Sequence, residues 1–249
     1  YIQECKAMKI EVLPPDVNTS MDGFAIDKEA IRFGLGAIKN VGEGAIASII
    51  ENRNPDGGAF KAYQNMTDLC QRIDLKQANK RVLESLIKCG ACDAWGDRDY
   101  LLAIYEKVMD YCQVLAKEKS NGQTSMFGSQ MADEGGVGFR LDIDDYPLTT
   151  DGDKLRAEKE LLGLYVSRHP LENFKDKLDG MPLTIDKLNE EHQNKKVTLM
   201  GILSECRKMV TKTKREMCIG KLEDLKSSMA ALVFEGKDFE TLQPLFQDD

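Results

Sequence analysis

The spacing of apolar side chains changes once along the chain, from a helical period to a strand period. Between residues 35 and 118 apolar positions recur every three or four residues, which predicts amphipathic helices around a common core. After residue 193 apolar and polar positions alternate, which predicts β-strands. The predicted helices lie at 43–53, 63–72, 78–89 and 98–118, and the predicted strands lie at 196–206, 216–224 and 228–236. The pattern therefore predicts a helical domain followed by a β domain.

Two further stretches separate these domains. Residues 119–150 lose all periodicity and are rich in Gly, Ser, Asp and Asn, which predicts a flexible tether. Helical spacing then returns and predicts a connector. The predicted segments are residues 1–30 as the end of a preceding region with a short β connection, 31–118 as a tandem helical domain, 119–150 as an acidic tether, 151–192 as a helical connector and 193–249 as an incomplete β domain.

Charge is distributed unevenly over these segments. Residues 1–120 carry 16 basic and 18 acidic side chains, and residues 196–249 carry nine of each. The net charge of −8 therefore arises mainly between residues 121 and 195, which carry 9 basic against 15 acidic side chains. Because phosphate binding depends on local patches, the overall acidity does not exclude a nucleic-acid partner.

Hydropathy and cysteine content indicate the compartment. No apolar run approaches the roughly 20 residues that cross a bilayer, and no signal peptide is present, so we expect no membrane association. The seven cysteines form no disulfide-like pattern, which predicts reduced thiols and a cytoplasmic location. Cys89 and Cys92 form a CxxC, but no second pair stands at zinc-like spacing, so we favour core packing over a metal site.

The most informative motif is the stretch LGAIKNVGEGAIASIIENR, residues 35–53. Its apolar residues face one core on both sides of a tight turn, and Gly42 and Gly44 permit backbone angles that a Cβ would forbid. Free amides at the start of the following helix, with Lys39 beside them, form a concavity suited to one phosphate. The motif resembles the helix-hairpin-helix, which binds nucleic-acid backbone without reading sequence. The alternative is a glycine turn that only packs two helices.

A second, degenerate copy of the helix-hairpin-helix motif spans residues 82–108. Its turn, from Gly90 to Gly96, carries Asp93 and a second acid, Asp97, which would repel a phosphate. We interpret this copy as mainly structural.

A basic stretch, RKMVTKTKR, lies between the first two predicted strands. In an OB-fold the loop joining these strands contacts single-stranded nucleic acid. The five cations are Arg207, Lys208, Lys212, Lys214 and Arg215. Aromatic side chains for base stacking are not evident. Phe234 and Phe239 are the nearest, and nothing in the pattern assigns them to the face that would bind nucleic acid. The alternative is a solvated charged hairpin.

The tether contains an apolar pair in the stretch SNGQTSMFGSQ, residues 120–130. Met126 and Phe127 could enter adjoining pockets of a partner while Gln123 hydrogen-bonds to the rim, as in short linear motifs. Each buried anchor contributes roughly 1.5–3 kcal/mol, which suits an exchangeable contact. The alternative is a loop whose Met and Phe fold back on their own domain.

Together these features resemble one family. Gln-x-x-(Leu/Met)-Phe between a helix-hairpin-helix domain and an OB domain is similar to the internal sliding-clamp motif of the bacterial C-family replicative DNA polymerases, the DNA polymerase III alpha-subunit family. Four other stretches resemble the same family in order and spacing: YIQECKAMKIEVLPPDVN, IRFGLGAIKNVGEGAI, NKRVLESLIKCGACD and EKELLGLYVSRHPL. The second hairpin departs from it, because relatives usually carry apolar residues in place of the cysteines.

The resemblance implies a C-terminal fragment of a DNA-directed DNA polymerase, with residues 1–30 as the end of its fingers region and an OB domain that is cut short. The catalytic aspartates and their Mg²⁺ would lie in a palm domain upstream, so no catalytic residue and no cofactor are assigned here. Implied partners are duplex and single-stranded DNA, a sliding clamp and other replicase subunits. The implied contacts are Lys39, Asn40, Gly42 and Gly44 for duplex backbone, Gln123, Met126 and Phe127 for the clamp, and the 207–215 stretch for single-stranded template.

Two alternatives belong to other classes. The first is a stand-alone DNA-binding adaptor with helix-hairpin-helix and OB modules, against which the abrupt start and incomplete barrel count. The second is another enzyme with the same modules, such as an NAD-dependent DNA ligase. Nothing in the chain resembles the adenylation lysine motif or the zinc cysteines of that enzyme.

Overall fold

The computed structural model describes residues 4–5, 8–53, 59–120, 141–212, 214–234 and 239–242. The chain divides into two compact units, Tyr1–Arg168 and His169–Asp249.

The first unit opens with a small three-stranded sheet. Its strands are β1 (Val12–Leu13), β2 (Ala25–Asp27) and β3 (Ala30–Arg32). β3 lies in the centre, parallel to β1 and antiparallel to β2. Pro14 and Pro15 directly follow β1 and end it, because proline has no amide to donate to a ladder.

After this sheet, the described residues of the unit form the helices α1 (Glu43–Glu51), α2 (Met66–Arg72), α3 (Lys80–Lys88), α4 (Arg98–Ser120) and α5 (Asp151–Leu162). The first four occupy the positions that the helical period predicts. Side chains cap several of them: Asn65 accepts from the amide of Asp68 at 2.9 Å, and Asn79 accepts from the amide of Val82 at 3.2 Å. Thr150 and Asp153 form a capping box at the start of α5.

One apolar core joins these helices, and α5 is part of it. Leu161 and Leu162 at the end of α5 are buried in the same cluster as Leu35, Ile49 and Leu86. Burial of such side chains is the main source of stability for the unit. The segment predicted as a connector therefore begins with a helix that belongs to the helical unit.

The predicted tether is described only in part. Residues 121–140, with Gln123, Met126 and Phe127, lie outside the described residues. After these residues the chain contacts the helical unit at two points. Leu141 packs against its core, and the Thr149 hydroxyl donates to Asp99 at 2.6 Å. The acidic stretch at 142–145 forms a 3₁₀ turn, Ile143–Asp145, closed by the side chains of Asp142 and Asp145.

The described residues of the second unit include a short helix α6 (Lys175–Asp179), three strands and a helical turn α7 (Phe239–Leu242). The strands β4 (Ile202–Val210), β5 (Glu216–Glu223) and β6 (Ser228–Phe234) form an antiparallel meander. A bulge between Ser204 and Arg207 interrupts β4, and Glu205 there has a φ of 53°. Cys206, Cys218 and Phe239 form the centre of its small core.

This architecture confirms the predicted fold class, a mostly helical domain followed by a partial OB-like β domain. Within the part of the chain that is described, no helix has the length and apolarity needed to cross a membrane.

Candidate nucleic-acid interface

Buried apolar side chains on both sides of its turn anchor the hairpin between residues 35 and 51. A 3₁₀ turn, Leu35–Ala37, precedes α1, and Leu35, Ile38 and Val41 are buried on one side of the turn. Ala45, Ile46 and Ile49 of α1 are buried on the other side. The sequence pattern predicts this arrangement, and it leaves the turn itself, residues 39–44, largely at the surface.

The strained residue of this turn is Asn40, with a φ of 68°. Asparagine tolerates this left-handed conformation better than most side chains. Gly42 has ordinary extended angles, φ −86° and ψ 161°, and a Cβ added there would meet nothing within 4 Å. The interpretation that the two glycines supply forbidden backbone angles is therefore wrong, because the turn reverses at Asn40.

What Gly42 provides is open space. It is the N-cap of α1, and no side chain caps this helix end. The amides of residues 42–44 have no acceptor within the helix by α-helical geometry. Because Gly42 and Gly44 are exposed and carry no side chain, an acceptor from outside can approach these amides.

Two hydrogen bonds fix the turn on its own unit. The amide of Lys39 donates to the carbonyl of Leu161 in α5 at 3.0 Å, and the Asn40 side chain donates to the Ser85 hydroxyl in α3 at 3.2 Å. The Asn40 side chain therefore has a positioning role. The Lys39 side chain is exposed beside the turn, where a cation favours phosphate.

The second hairpin is built differently. Gly90 and Gly96 have positive φ values of 88° and 144°, and Asp93 is held by two hydrogen bonds from Arg98, at 2.9 and 2.8 Å. Asp97 forms an ion pair with Lys154 at 2.9 Å. Acids and ion pairs thus occupy the surface of this turn, which supports its interpretation as structural.

The cysteines of this second hairpin lie in the core. Cys89 and Cys92 are 0% and 1% exposed, and burial raises the pKa of the Cys89 thiol to about 12. Among the described residues no three His, Cys, Asp or Glu side chains come together as a metal site would require.

Nearby ion pairs fasten α5 to the start of α4. The Lys154 ammonium lies 2.9 Å from Asp97 and 3.0 Å from Asp99. Burial acts to raise the pKa of Asp99, but hydrogen bonds from Thr149 and Lys154 outweigh it and hold the pKa below its usual range. Asp99 is therefore ionised at neutral pH and fixes the chain around Thr149.

The basic stretch of the second unit is half strand and half turn. Arg207 and Lys208 lie within β4, so placing all five cations in a loop is wrong for these two. Lys212, Lys214 and Arg215 lie in the β4–β5 turn, which is closed by the Thr211 amide donating to the Arg215 carbonyl at 2.8 Å. All five side chains are exposed.

The strand register supplies the aromatic side chain that the sequence could not assign. Met209 pairs with Met217, and Met217 pairs with Phe234, so the three share one face of the sheet. Arg207, two residues before Met209, lies on this same face. Phe234 is 58% exposed, whereas Phe239 is buried at 6%. An exposed ring therefore lies on the Arg207 side.

Comparison with known proteins agrees with these features. The family model described as a helix-hairpin-helix motif matches residues 9–101. The DNA polymerase III subunit alpha of Thermus aquaticus is 36% identical over the whole chain, which covers 20% of that protein. Those of Mycobacterium tuberculosis and Vibrio cholerae are each 34% identical over 94% of the chain, again covering 20% of their own length.

The chain thus spans about one fifth of the length of the curated relatives it matches. The similarity extends from the hairpin through the β unit, so it is not confined to the helix-hairpin-helix motif. Over its whole length the chain is therefore similar to one segment of DNA polymerase III alpha subunits, and residues 9–101 match the helix-hairpin-helix model.

Proposed function

We propose that this chain is the DNA-binding and sliding-clamp-binding portion of a replicative DNA polymerase that works in the cytoplasm. The full-length protein would carry out template-directed synthesis, with its catalytic aspartates and Mg²⁺ in a palm domain outside this chain. The observation that carries the proposal is the start of α1, where Gly42 and Gly44 carry no side chain and no side chain caps the helix. This helix end lies on a buried apolar core within the stretch that matches the helix-hairpin-helix model.

The hairpin holds a backbone phosphate of duplex DNA. The amides at residues 42–44 donate to phosphate oxygens, and the positive end of α1 favours the negative charge. Lys39 adds a charge-assisted contact, and Asn40 keeps the turn in place through Ser85. Because only the backbone is contacted, binding does not depend on base sequence.

The β unit contacts single-stranded template. Phe234 offers a surface on which a base stacks, and Arg207 on the same face contacts the adjoining phosphate. Lys212, Lys214 and Arg215 extend this positive surface at the β4–β5 turn. The exposure of these groups supports the assignment.

The peptide with Gln123, Met126 and Phe127 binds a sliding clamp. Linking a weak anchor to the polymerase raises the effective concentration of enzyme at its primer terminus. The DNA-binding surfaces themselves then need only modest affinity, which agrees with the near-equal numbers of acids and bases outside residues 121–195.

Gly42→Val tests the hairpin assignment. We expect duplex affinity to fall by about 10- to 100-fold, because bulky methyl groups would cover amides whose bonds to a charged oxygen contribute about 1.5–3 kcal/mol. The fold should persist, since a Cβ at Gly42 meets nothing within 4 Å. Fluorescence anisotropy with a labelled duplex measures the affinity.

Gly152→Val is the matched control, because Gly152 is an exposed glycine in the first turn of α5. It should bind duplex like the unaltered chain. Equal affinity of a folded Gly42→Val variant would show that the hairpin only packs helices.

A further inference from the structure

The segment from Asp74 to Ser85 lies along the hairpin. The Asp74 amide donates to the Ser48 hydroxyl at 2.8 Å, and the Asn40 side chain donates to Ser85 at 3.2 Å. Between them, the Gln77 side chain lies against Gly44, where an added Cβ would collide with it. The two segments therefore run in opposite directions, with the start of α3 beside the hairpin turn.

These contacts determine where Arg81 lies. Arg81 and Ser85 are one helical turn apart and share a face of α3, and Ser85 is the residue that meets Asn40. Gln77, four residues before Arg81, meets Gly44. Arg81 is therefore positioned between the two contacts, at the edge of the turn, and its side chain is exposed.

The charge of Arg81 has no evident structural role. A cation in the first turn of a helix is unfavourable, because the helix dipole places positive charge there. Neighbouring Lys80 also lies in this first turn, and its ion pair with Glu106 at 2.7 Å offsets the cost of its own charge. Arg81 forms no ion pair with any residue in the described part of the chain.

We propose that Arg81 is a second ligand for the DNA backbone, binding a phosphodiester next to the one at the hairpin turn. This inference rests on the proposed function of the hairpin and extends it to α3, the first helix of the copy interpreted as structural. A guanidinium suits the role, since its planar donors match two phosphate oxygens. The interface would then consist of the residue 39–44 turn and the start of α3.

The test is the salt dependence of duplex binding by the 249-residue chain. Each neutralised phosphate contributes about −0.9 to the slope of log affinity against log salt concentration. Arg81→Gln should make the slope shallower by about 0.9 and lower the affinity at low salt by about 3- to 10-fold. The thermal midpoint should not fall, because an unfavourable charge is removed from the start of α3.

Lys28→Gln is the control, because it removes an exposed cation from the β2–β3 turn of the small sheet, and it should leave the slope unchanged. An unchanged slope for Arg81→Gln, in a chain that binds duplex and loses affinity with Gly42→Val, would overturn this inference alone. Equal changes for Arg81→Gln and Lys28→Gln would also overturn it, since the loss would then reflect total charge. A chain that does not bind duplex at all would overturn both the hairpin assignment and this inference.

Discussion

Replacing Met126 and Phe127 together by alanine is expected to abolish retention of this chain on an immobilised sliding clamp. The two side chains are the apolar anchors of the proposed clamp peptide, and each contributes roughly 1.5–3 kcal/mol when buried. Losing both should weaken the contact by at least about 100-fold, which takes an exchangeable complex below detection in a pull-down. Surface plasmon resonance would give the change in affinity directly.

The matched control removes the same two residue types from another surface. Met8 and Phe60 are 70% and 58% exposed, so their double alanine variant should keep full clamp affinity. Clamp binding that persists after Met126→Ala plus Phe127→Ala would refute the peptide assignment. It would leave the duplex-binding role of the hairpin untouched, because that role rests on different residues.

Glu158→Ala is expected to destabilise the helical unit by about 1–3 kcal/mol, because hydrogen-bond donors lose their acceptor. The Glu158 side chain is fully buried and accepts hydrogen bonds from the amides of Val166 and Ser167, at 2.5 and 2.8 Å. It also accepts from the Ser167 hydroxyl at 2.7 Å and lies 3.7 Å from the Arg98 guanidinium. Its removal leaves the amides of Val166 and Ser167 without this acceptor, while Arg98 keeps its hydrogen bonds to Asp93.

The only tryptophan of the chain makes this measurement specific. Trp95 lies in the helical unit and donates to the carbonyl of Tyr63 at 3.2 Å, so its fluorescence reports urea unfolding of that unit alone. Glu160→Ala, at an exposed position of the same helix, should change stability by less than about 0.5 kcal/mol. Equal effects of the two substitutions would contradict the role assigned to Glu158.

Features that depend on local periodicity could be predicted from the sequence. The helical period located α1 to α4, and the buried residues on either side of the hairpin turn are the ones that the spacing assigns to one face. The alternation after residue 193 located three strands that pair in chain order. A period of 3.6 or 2 residues can be recognised without knowing the tertiary structure, because it reflects which face of an element is buried.

Features that depend on contacts between distant residues could not be predicted. The reversal at Asn40 is fixed by Ser85, 45 residues away, and the sequence alone suggested the glycines instead. In the sequence, Glu158 resembles any charged residue of an amphipathic helix. Only the fold brings the amides of Val166 and Ser167 within hydrogen-bond distance of its carboxylate. Phe234 lies on the same face of the sheet as Arg207 because of the strand register. A bulge in β4 shifts this register.

Arg81 belongs to the same class of missed residues. The stretch KQANKR, residues 76–81, carries three cations without an acid, and this charge run was the available signal. Its significance depends on where α3 packs, because the contacts of Gln77 and Ser85 with the hairpin bring the cation beside the turn.

The most direct test of the account is an NMR titration of the isotope-labelled chain with a short duplex at low salt. If the hairpin holds a backbone phosphate, the amide signals of Gly42, Glu43 and Gly44 should move most, and to the same extent for duplexes of unrelated sequence. Amide signals of this turn that stay unchanged while the duplex binds elsewhere on the chain would contradict the account.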